Sequence, residues 1–430
     1  MGVETLADHH TWPLIDSLDE LGQLTRSAGA DVVGLLTQKL SRPTAAYYLG
    51  KGKLQELVDR RAELGYDLVV FDDELLPRQQ RNLEEALKVK VIDRSALILD
   101  IFAKRAHTHE GRLQVELAQH EYLLPRLAGQ WSHLERLGGG IGTRGPGEAQ
   151  LETDRRLIRR KITNLKRQLE EVRRHRALYR AQRSAEGLAI VALVGYTNAG
   201  KSTLFNALTN AQVVAEDRPF DTLDPTTRRL TLPSGQEILL TDTVGFIQKL
   251  PPTLVAAFRA TLEELDEADL LLHVLDITQE SAAEQSQTVE EILRDLGLNQ
   301  KPRLVAFNKL DLLVPPGEVA LDDEALERLP EELGFNIQGG GLISAQKEWG
   351  LRQLLQLIEE RLARSMMEIT VEIPYAAGHL INLFRQQGSV EHQDYGETGI
   401  RLQGKIPPRL QAVFRDFQVS SPSSLTGRTA

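Results

Sequence analysis

Apolar and polar positions along the first hundred residues predict short buried strands separated by amphipathic helices. Strand-like apolar runs occur at 31–36, 67–71 and 89–92, and helix-like stretches lie near 15–26, 51–64, 77–87 and 95–105. Strands that alternate with helices are typical of a parallel α/β domain, so we predict a small domain of this kind over residues 1–108. The Gly-Lys-Gly-Lys sequence at 50–53 begins one of these helices, and its spacing is not that of a phosphate loop.

Apolar residues at heptad spacing predict two long helices, over 109–135 and 151–172. Pro125 is expected to kink the first helix, because proline removes a backbone donor and clashes with the preceding turn. The glycine-rich stretch 138–147 between the helices can form neither helix nor strand. We therefore predict an antiparallel helical hairpin with a glycine-rich tip over residues 109–186.

Basic residues are concentrated on the second helix of this hairpin. Residues 152–183 contain 12 Arg or Lys and four acidic residues, whereas the whole chain has a formal net charge of −10. An acidic protein with one arginine-rich arm has the electrostatic pattern of a polyanion binder. The alternative is a solvated coiled-coil face, although such faces usually mix charges of both signs. The pattern favours contact with nucleic acid through 138–183.

A phosphate loop is predicted where an apolar strand-like run at 190–194 gives way to a helical pattern. The intervening residues follow G-x-x-x-x-G-K-S, and the context of strand before and helix after is the one this motif requires. The loop consists of Gly195, Tyr196, Thr197, Asn198, Ala199, Gly200, Lys201 and Ser202. Its backbone N–H groups would hold phosphates, Lys201 would contact the outer phosphates, and the Ser202 hydroxyl would bind Mg²⁺.

Further motifs follow in an order that predicts a GTPase, each at the end of a predicted strand. They are Asp242-Thr243-Val244-Gly245, Asn308-Lys309-Leu310-Asp311 and Ser344-Ala345-Gln346. Asp242 could hold Mg²⁺ through a water molecule, and the Gly245 N–H could sense the γ-phosphate. The Asp311 carboxylate can accept two hydrogen bonds from guanine, which adenine cannot offer. Asn308 would tie this motif to the phosphate loop, and the Ala345 N–H would meet the guanine carbonyl.

Two positions near the predicted γ-phosphate bear on hydrolysis. A threonine should coordinate Mg²⁺, and the candidates are Thr222, Thr226 and Thr227. Phe246 stands where Ras-like enzymes place a water-orienting glutamine, so no side chain is an obvious catalyst. We therefore expect slow intrinsic hydrolysis, on the order of 10⁻⁴–10⁻² s⁻¹, until a partner completes the site.

The expected architecture is α/β, with a Ras-like P-loop GTPase domain over residues 187–366. The small parallel α/β domain and the hairpin precede it, and a small α+β domain with a disordered tail follows over 367–430. The chain has no cysteine, which excludes disulfides and suits a reducing cytoplasm. No apolar run approaches the ~20 residues that a membrane span needs. We expect a cytoplasmic monomer, with peripheral membrane association left open.

The chain resembles the HflX family of translation-associated GTPases. The resemblance rests on 138–148 running into 150–156, on the phosphate loop, on 242–247, and on the stretch Phe220-Asp221-Thr222-Leu223-Asp224-Pro225-Thr226. It implies that residues 220–224 contact the bound GTP or GDP, that Thr222 is the threonine on Mg²⁺, and that Phe246 is a hydrophobic substitute for glutamine. One departure is Gln346, where relatives often carry arginine or lysine.

The resemblance also implies a function. Similar proteins bind the large (50S) ribosomal subunit through the hairpin, and their GTP-bound form helps to split stalled or stressed ribosomes. Some relatives bind ATP through the N-terminal domain, where this sequence has no phosphate loop. Two alternatives stay open: an RNA-directed GTPase, for which the sequence shows no separate catalytic site, and an assembly or scaffold protein in which GTP is structural.

Overall fold

The fold is described from a computed structural model. The described residues are 1–5, 12–127, 146–186, 188–209, 220, 225–250, 265–314, 340–407 and 410–419. Among the described helices, none combines the length and the apolar character needed to cross a bilayer.

The N-terminal domain is built on short parallel strands. These are β1 (Gly2–Thr5), β2 (Thr37–Leu40), β3 (Leu68–Phe71) and β4 (Lys90–Asp93), with β1 pairing β2 and β3 pairing β4. Met1 connects the two pairs, because its amino group donates to the Val70 carbonyl and its own carbonyl accepts from the Asp72 N–H. The helices are α1 (Leu14–Ser27), α2 (Lys51–Leu64), α3 (Pro77–Leu87) and α4 (Arg94–Arg105).

The strand predicted at 31–36 is wrong, and the strand lies at 37–40 instead. A strand needs a partner, and the partner here is β1, whose Gly2 pairs with Thr37. The apolar run before it leaves Val32 and Val33 40% and 53% exposed. The sequence Thr-Gln-Lys-Leu of β2 lacks apolar alternation, so its pattern did not reveal it.

The hairpin region contains α5 (His109–Leu123) and the long helix α6 (Pro146–Glu186). Leu113 and Leu117 of α5 pack against Leu165 and Leu169 of α6. The first helix was predicted to continue through a kink at Pro125, but α5 ends two residues before this proline. Residues 138–145 of the predicted tip lie outside the described residues, and 146–147, predicted to be non-helical, form the start of α6.

The region predicted to be a GTPase domain is built around a mixed sheet. Its elements are β5 (Ala189–Gly195), α7 (Lys201–Thr209), β6 (Thr226–Thr231), β7 (Glu237–Asp242), β8 (Leu270–Asp276), α8 (Ala282–Asp295), β9 (Arg303–Asn308), β10 (Gly340–Leu342) and α9 (Leu351–Arg364). The strand order is β10-β9-β8-β5-β7-β6, and only the β6–β7 pair is antiparallel within the described sheet. The carboxyl ends of the parallel strands therefore meet along one edge, where ligands bind in open α/β sheets.

The C-terminal domain is a small antiparallel sheet covered by helices. Its elements are β11 (Met367–Pro374), α10 (Gly378–Gln387), β12 (Ser389–Tyr395), β13 (Gly399–Ile406) and α11 (Gln411–Phe414). The strand order is β11-β13-β12, and Val371, Phe384, Leu402 and Phe414 are fully buried in its core. The tail predicted to be disordered lies outside the described residues, which end at 419.

Candidate functional site

The phosphate loop joins β5 to α7 in a conformation that requires glycine at two positions. Gly195 and Gly200 have φ angles of 149° and 93°. A Cβ at Gly195 would lie 2.3 Å from the Val274 carbonyl oxygen, and one at Gly200 would lie 2.3 Å from Asn308 Nδ2. The motif's glycines therefore permit both the curl of the loop and its close packing against neighbouring strand ends.

Lys201 lies at the first position of α7 and folds back over the loop. Its ammonium donates to the carbonyl oxygens of Gly195, at 3.1 Å, and Tyr196, at 2.7 Å. Burial lowers the pKa of Lys201 to about 8, although the nearby charge of Asp242 opposes this shift. The predicted phosphate-binding lysine is thus held at the loop by backbone oxygens.

Ser202 and Asp242 form the metal end of the site. The Ser202 hydroxyl donates to Asp242 Oδ2 at 2.7 Å, and Asp242 is fully buried at the end of β7. Hydroxyl and carboxylate oxygens are the ligands that Mg²⁺ prefers, and it usually binds few protein groups together with substrate phosphates. These two residues therefore fit Mg²⁺, which would neutralise phosphate charge when bound.

The part of the site predicted to recognise the guanine base is held together by hydrogen bonds between segments that follow neighbouring strands. Asn308 Nδ2 donates to the Ala199 carbonyl at 2.8 Å, which ties this motif to the phosphate loop as predicted. The Ser344 hydroxyl donates to Asp311 Oδ1 at 2.6 Å and so orients the carboxylate. Lys309 pairs with Asp276 at 2.8 Å, beside the same edge.

The Ala345 N–H has a partner that the sequence did not predict. It donates to Asn308 Oδ1 at 3.0 Å, so a guanine carbonyl would have to share or displace this bond. Gln346 follows with an exposed side chain. The direct role of Ala345 in base recognition stays a prediction.

The threonine expected on Mg²⁺ is not among the described residues. Thr222 lies in 221–224, outside them, together with Asp221, Leu223 and Asp224. Of the other candidates, Thr226 begins β6, and the Thr227 hydroxyl lies 2.9 Å from that of Thr241 on β7. Phe220, just before this stretch, is buried and its ring packs edge-on against Phe102 of α4 at 4.5 Å.

Phe246 has no side-chain donor or acceptor with which to orient a water molecule, and its ring is buried. It is 2% exposed in a core that includes residues of both the N-terminal and the GTPase domains. Its backbone pairs with the phosphate loop: the Phe246 N–H donates to the Gly195 carbonyl at 3.0 Å, and the Thr197 N–H donates to the Phe246 carbonyl at 2.8 Å. Gly245 lies so close that an added Cβ would be 2.9 Å from Thr197.

A buried charged cluster beside the loop was missed by sequence reasoning. Arg94 is 2% exposed and donates to Glu20 at 2.6 Å, to Asp72 at 2.8 Å and to the Gln248 carbonyl at 3.1 Å. Lys249 pairs with Asp72 at 2.6 Å. These residues are scattered singly through the sequence, and no local pattern distinguishes them from solvated charges.

The fold and the site define a P-loop GTPase. A family profile described as "GTP-binding GTPase N-terminal" matches residues 15–103, "GTP-binding GTPase Middle Region" matches 105–183, and "50S ribosome-binding GTPase" matches 190–309. GTPase HflX of Caldanaerobacter subterraneus subsp. tengcongensis is 48% identical over 405 residues, which are 94% of this chain and 91% of the relative.

GTPase HflX of Escherichia coli K12 is 43% identical over 394 residues, covering 91% of this chain and 90% of the relative. Since these relatives match along almost the whole chain, the protein belongs to the HflX family of GTPases. Among solved structures, a GTP-binding protein of Sulfolobus solfataricus in complex with GDP is 27% identical. It covers 84% of this chain and 98% of that one, with a TM-score of 0.41.

Proposed function

We propose that this GTPase binds the large ribosomal subunit in its GTP-bound form and splits or rescues stalled ribosomes, hydrolysing GTP slowly until the ribosome stimulates it. The observation that carries the proposal is the arginine face of α6. Family membership supports it as well, since one matching profile is that of a 50S ribosome-binding GTPase.

Among the described basic residues of α6, some form ion pairs with acidic residues and others do not. Lys161 and Lys166 pair with Glu116 and Glu121 of α5, at 2.6 and 2.8 Å, and so fasten the two helices together.

Three arginines of the same helix have no such role. Arg156, Arg159 and Arg160 are exposed and have no carboxylate partner within the described part of the chain. Neighbours three and four residues apart share one helix face. Arginine also presents the planar, bidentate geometry that phosphate groups accept best. This unpaired face therefore fits the backbone of structured RNA.

Sedimentation with ribosomal subunits tests the proposal. Full-length protein is mixed with 50S subunits in the presence of a non-hydrolysable GTP analogue, GDP or ATP, and pelleted through a sucrose cushion at several salt concentrations. We expect co-sedimentation with the GTP analogue only. The triple variant Arg156→Glu, Arg159→Glu, Arg160→Glu should lose most of the binding. The slope of log affinity against log salt concentration should decrease by the amount expected for about two to three fewer phosphate contacts.

The matched control carries the same change of charge on another exposed helix. Arg352, Arg361 and Arg364 of α9 are exposed, and replacing them with glutamate should leave subunit binding within about twofold of wild type. Equal loss in both triple variants would show that only net charge matters. Unchanged binding in the α6 variant would favour the scaffold alternative, and stimulation of hydrolysis by free RNA but not by ribosomes would favour the RNA-directed one.

A further inference from the structure

Tyr196, the second residue of the phosphate loop, places its side chain in the N-terminal domain. The residue is 3% exposed. Its hydroxyl donates to Glu20 of α1 and accepts from the Gln248 N–H at 2.8 Å. Its ring stacks on Trp12, with centroids 5.8 Å apart and planes 26° apart. A phosphate-loop side chain is therefore held from two sides by another domain and by the segment after Gly245.

The backbone of the same residue belongs to the part of the loop that shapes the nucleotide site. The Tyr196 carbonyl accepts from Lys201 Nζ at 2.7 Å, and the next N–H, that of Thr197, donates to the Phe246 carbonyl at 2.8 Å. Glu20, which receives the Tyr196 hydroxyl, is itself fixed by Arg94 at 2.6 Å. One side chain thus links α1, α4, the phosphate loop and residues 246–248.

We propose that Tyr196 is a positioning residue through which the N-terminal domain holds the phosphate loop in its nucleotide-binding shape. The hydroxyl–carboxylate contact with Glu20 is the essential link. A loop ordered in advance does not need to be ordered by the nucleotide, and such preorganisation increases affinity mainly by slowing dissociation. The buried position supports this arrangement, since burial and the charge of Glu20 raise the pKa of Tyr196 and keep its hydroxyl a donor.

Tyr196→Phe tests the proposal, because it removes the hydroxyl and keeps the ring against Trp12. The full-length protein is loaded with N-methylanthraniloyl-GDP, and the nucleotide is chased with excess GDP in a stopped-flow fluorimeter. We expect dissociation to be at least about tenfold faster than in wild type, because the variant loses the hydroxyl's hydrogen bonds to the Glu20 carboxylate and to the Gln248 N–H. A rate within twofold of wild type, or a slower one, would overturn the proposal.

Tyr122→Phe is the matched control. The Tyr122 hydroxyl also donates to a buried carboxylate, Asp93 at 3.0 Å, but both partners of this hydrogen bond belong to the N-terminal half of the chain. We expect a similar loss of thermal stability and an unchanged GDP dissociation rate. If Tyr122→Phe speeds dissociation as much as Tyr196→Phe does, the effect is general loosening and the proposal fails.

A double-mutant cycle tests the link itself. Glu20→Met removes the acceptor of the Tyr196 hydroxyl while Asp72 still pairs with Arg94. If Tyr196 acts through Glu20, each single variant and the double variant should show the same faster dissociation within about twofold. If the increase in dissociation rate in the double variant equals the product of the increases in the two single variants, Tyr196 and Glu20 act independently and the proposed link is overturned. The readout needs only GDP, so it is independent of ribosome binding.

Discussion

Arg94 offers the sharpest test of the buried charged cluster that joins the N-terminal domain to the GTPase domain. Its guanidinium is buried with two carboxylates, Glu20 and Asp72, and also donates to the Ser17 carbonyl at 3.0 Å. Arg94→Met keeps most of the packing volume but leaves two buried carboxylates without this cation. Removing one partner of a buried ion pair costs about 3–5 kcal/mol, so we expect the free energy of unfolding of the N-terminal domain to fall by this amount at pH 7.5.

The cost should shrink as the pH falls. Burial raises the pKa of Glu20, and in the wild type Arg94 and Lys249 outweigh burial to hold the pKa of Asp72 below its ordinary value. Without Arg94 both carboxylates shift to higher pKa values, so the folded variant binds protons that the unfolded chain does not. The free energy of unfolding of the variant, relative to that of the wild type, therefore rises as the pH is lowered from 7.5 to 5.

Urea unfolding followed by Trp12 fluorescence measures this effect, in a background where Trp131 and Trp349 are replaced by Phe. Arg60→Met is the control, because Arg60 pairs with Glu56 at 2.8 Å on an exposed face and such pairs contribute about 0–1 kcal/mol. If Arg94→Met costs less than about 1 kcal/mol, or if its cost is the same at both pH values, the cluster does not hold the domain as described.

Further predictions concern the GTPase domain. Gly200→Ala should weaken GDP binding at least about tenfold in a fluorescence titration, because the added Cβ would lie 2.3 Å from Asn308. Gly297→Ala is the control and should leave GDP binding unchanged, because Gly297 also has a positive φ, 77°, but open space around it. Burial lowers the pKa of His273 to about 4, so its titration should lower stability by about 1.4 kcal/mol per pH unit between pH ~6.5 and pH ~4. In urea titrations His273→Gln should remove this contribution, and an unchanged slope would contradict the assignment. Asp311→Asn should lower GDP affinity about tenfold and raise that for xanthosine diphosphate; unchanged affinities for both would refute the proposed base contact.

Much of the GTPase domain could be predicted because its motifs are local. The phosphate loop needs only the run of residues from Gly195 to Ser202 between an apolar strand and a helix, and Asn308 to Asp311 follow a strand in the same way. Each motif's chemistry is carried by consecutive residues, so spacing along the chain is enough. The structure brings Asn308 to the phosphate loop at 2.8 Å, which the order of motifs anticipated.

The contacts between domains could not be predicted in this way. Glu20, Arg94 and Tyr196 are far apart in the sequence and become one cluster only through tertiary packing. The misplaced strand at 31–36 has a related cause, since β2 forms where β1 offers backbone partners and not where the sequence is most apolar. Pairing and burial decide such features, and neither is encoded in a local pattern.

The length of α6 has a mechanical consequence. The helix contains 41 residues and is therefore about 60 Å long. It ends at Glu186, and the strand that leads into the phosphate loop begins at Ala189. Because its C-terminal end lies so close to the phosphate loop, a rigid helix of this length acts as a lever. A tilt of about 10° at Glu186 displaces the opposite end of the helix by roughly 10 Å.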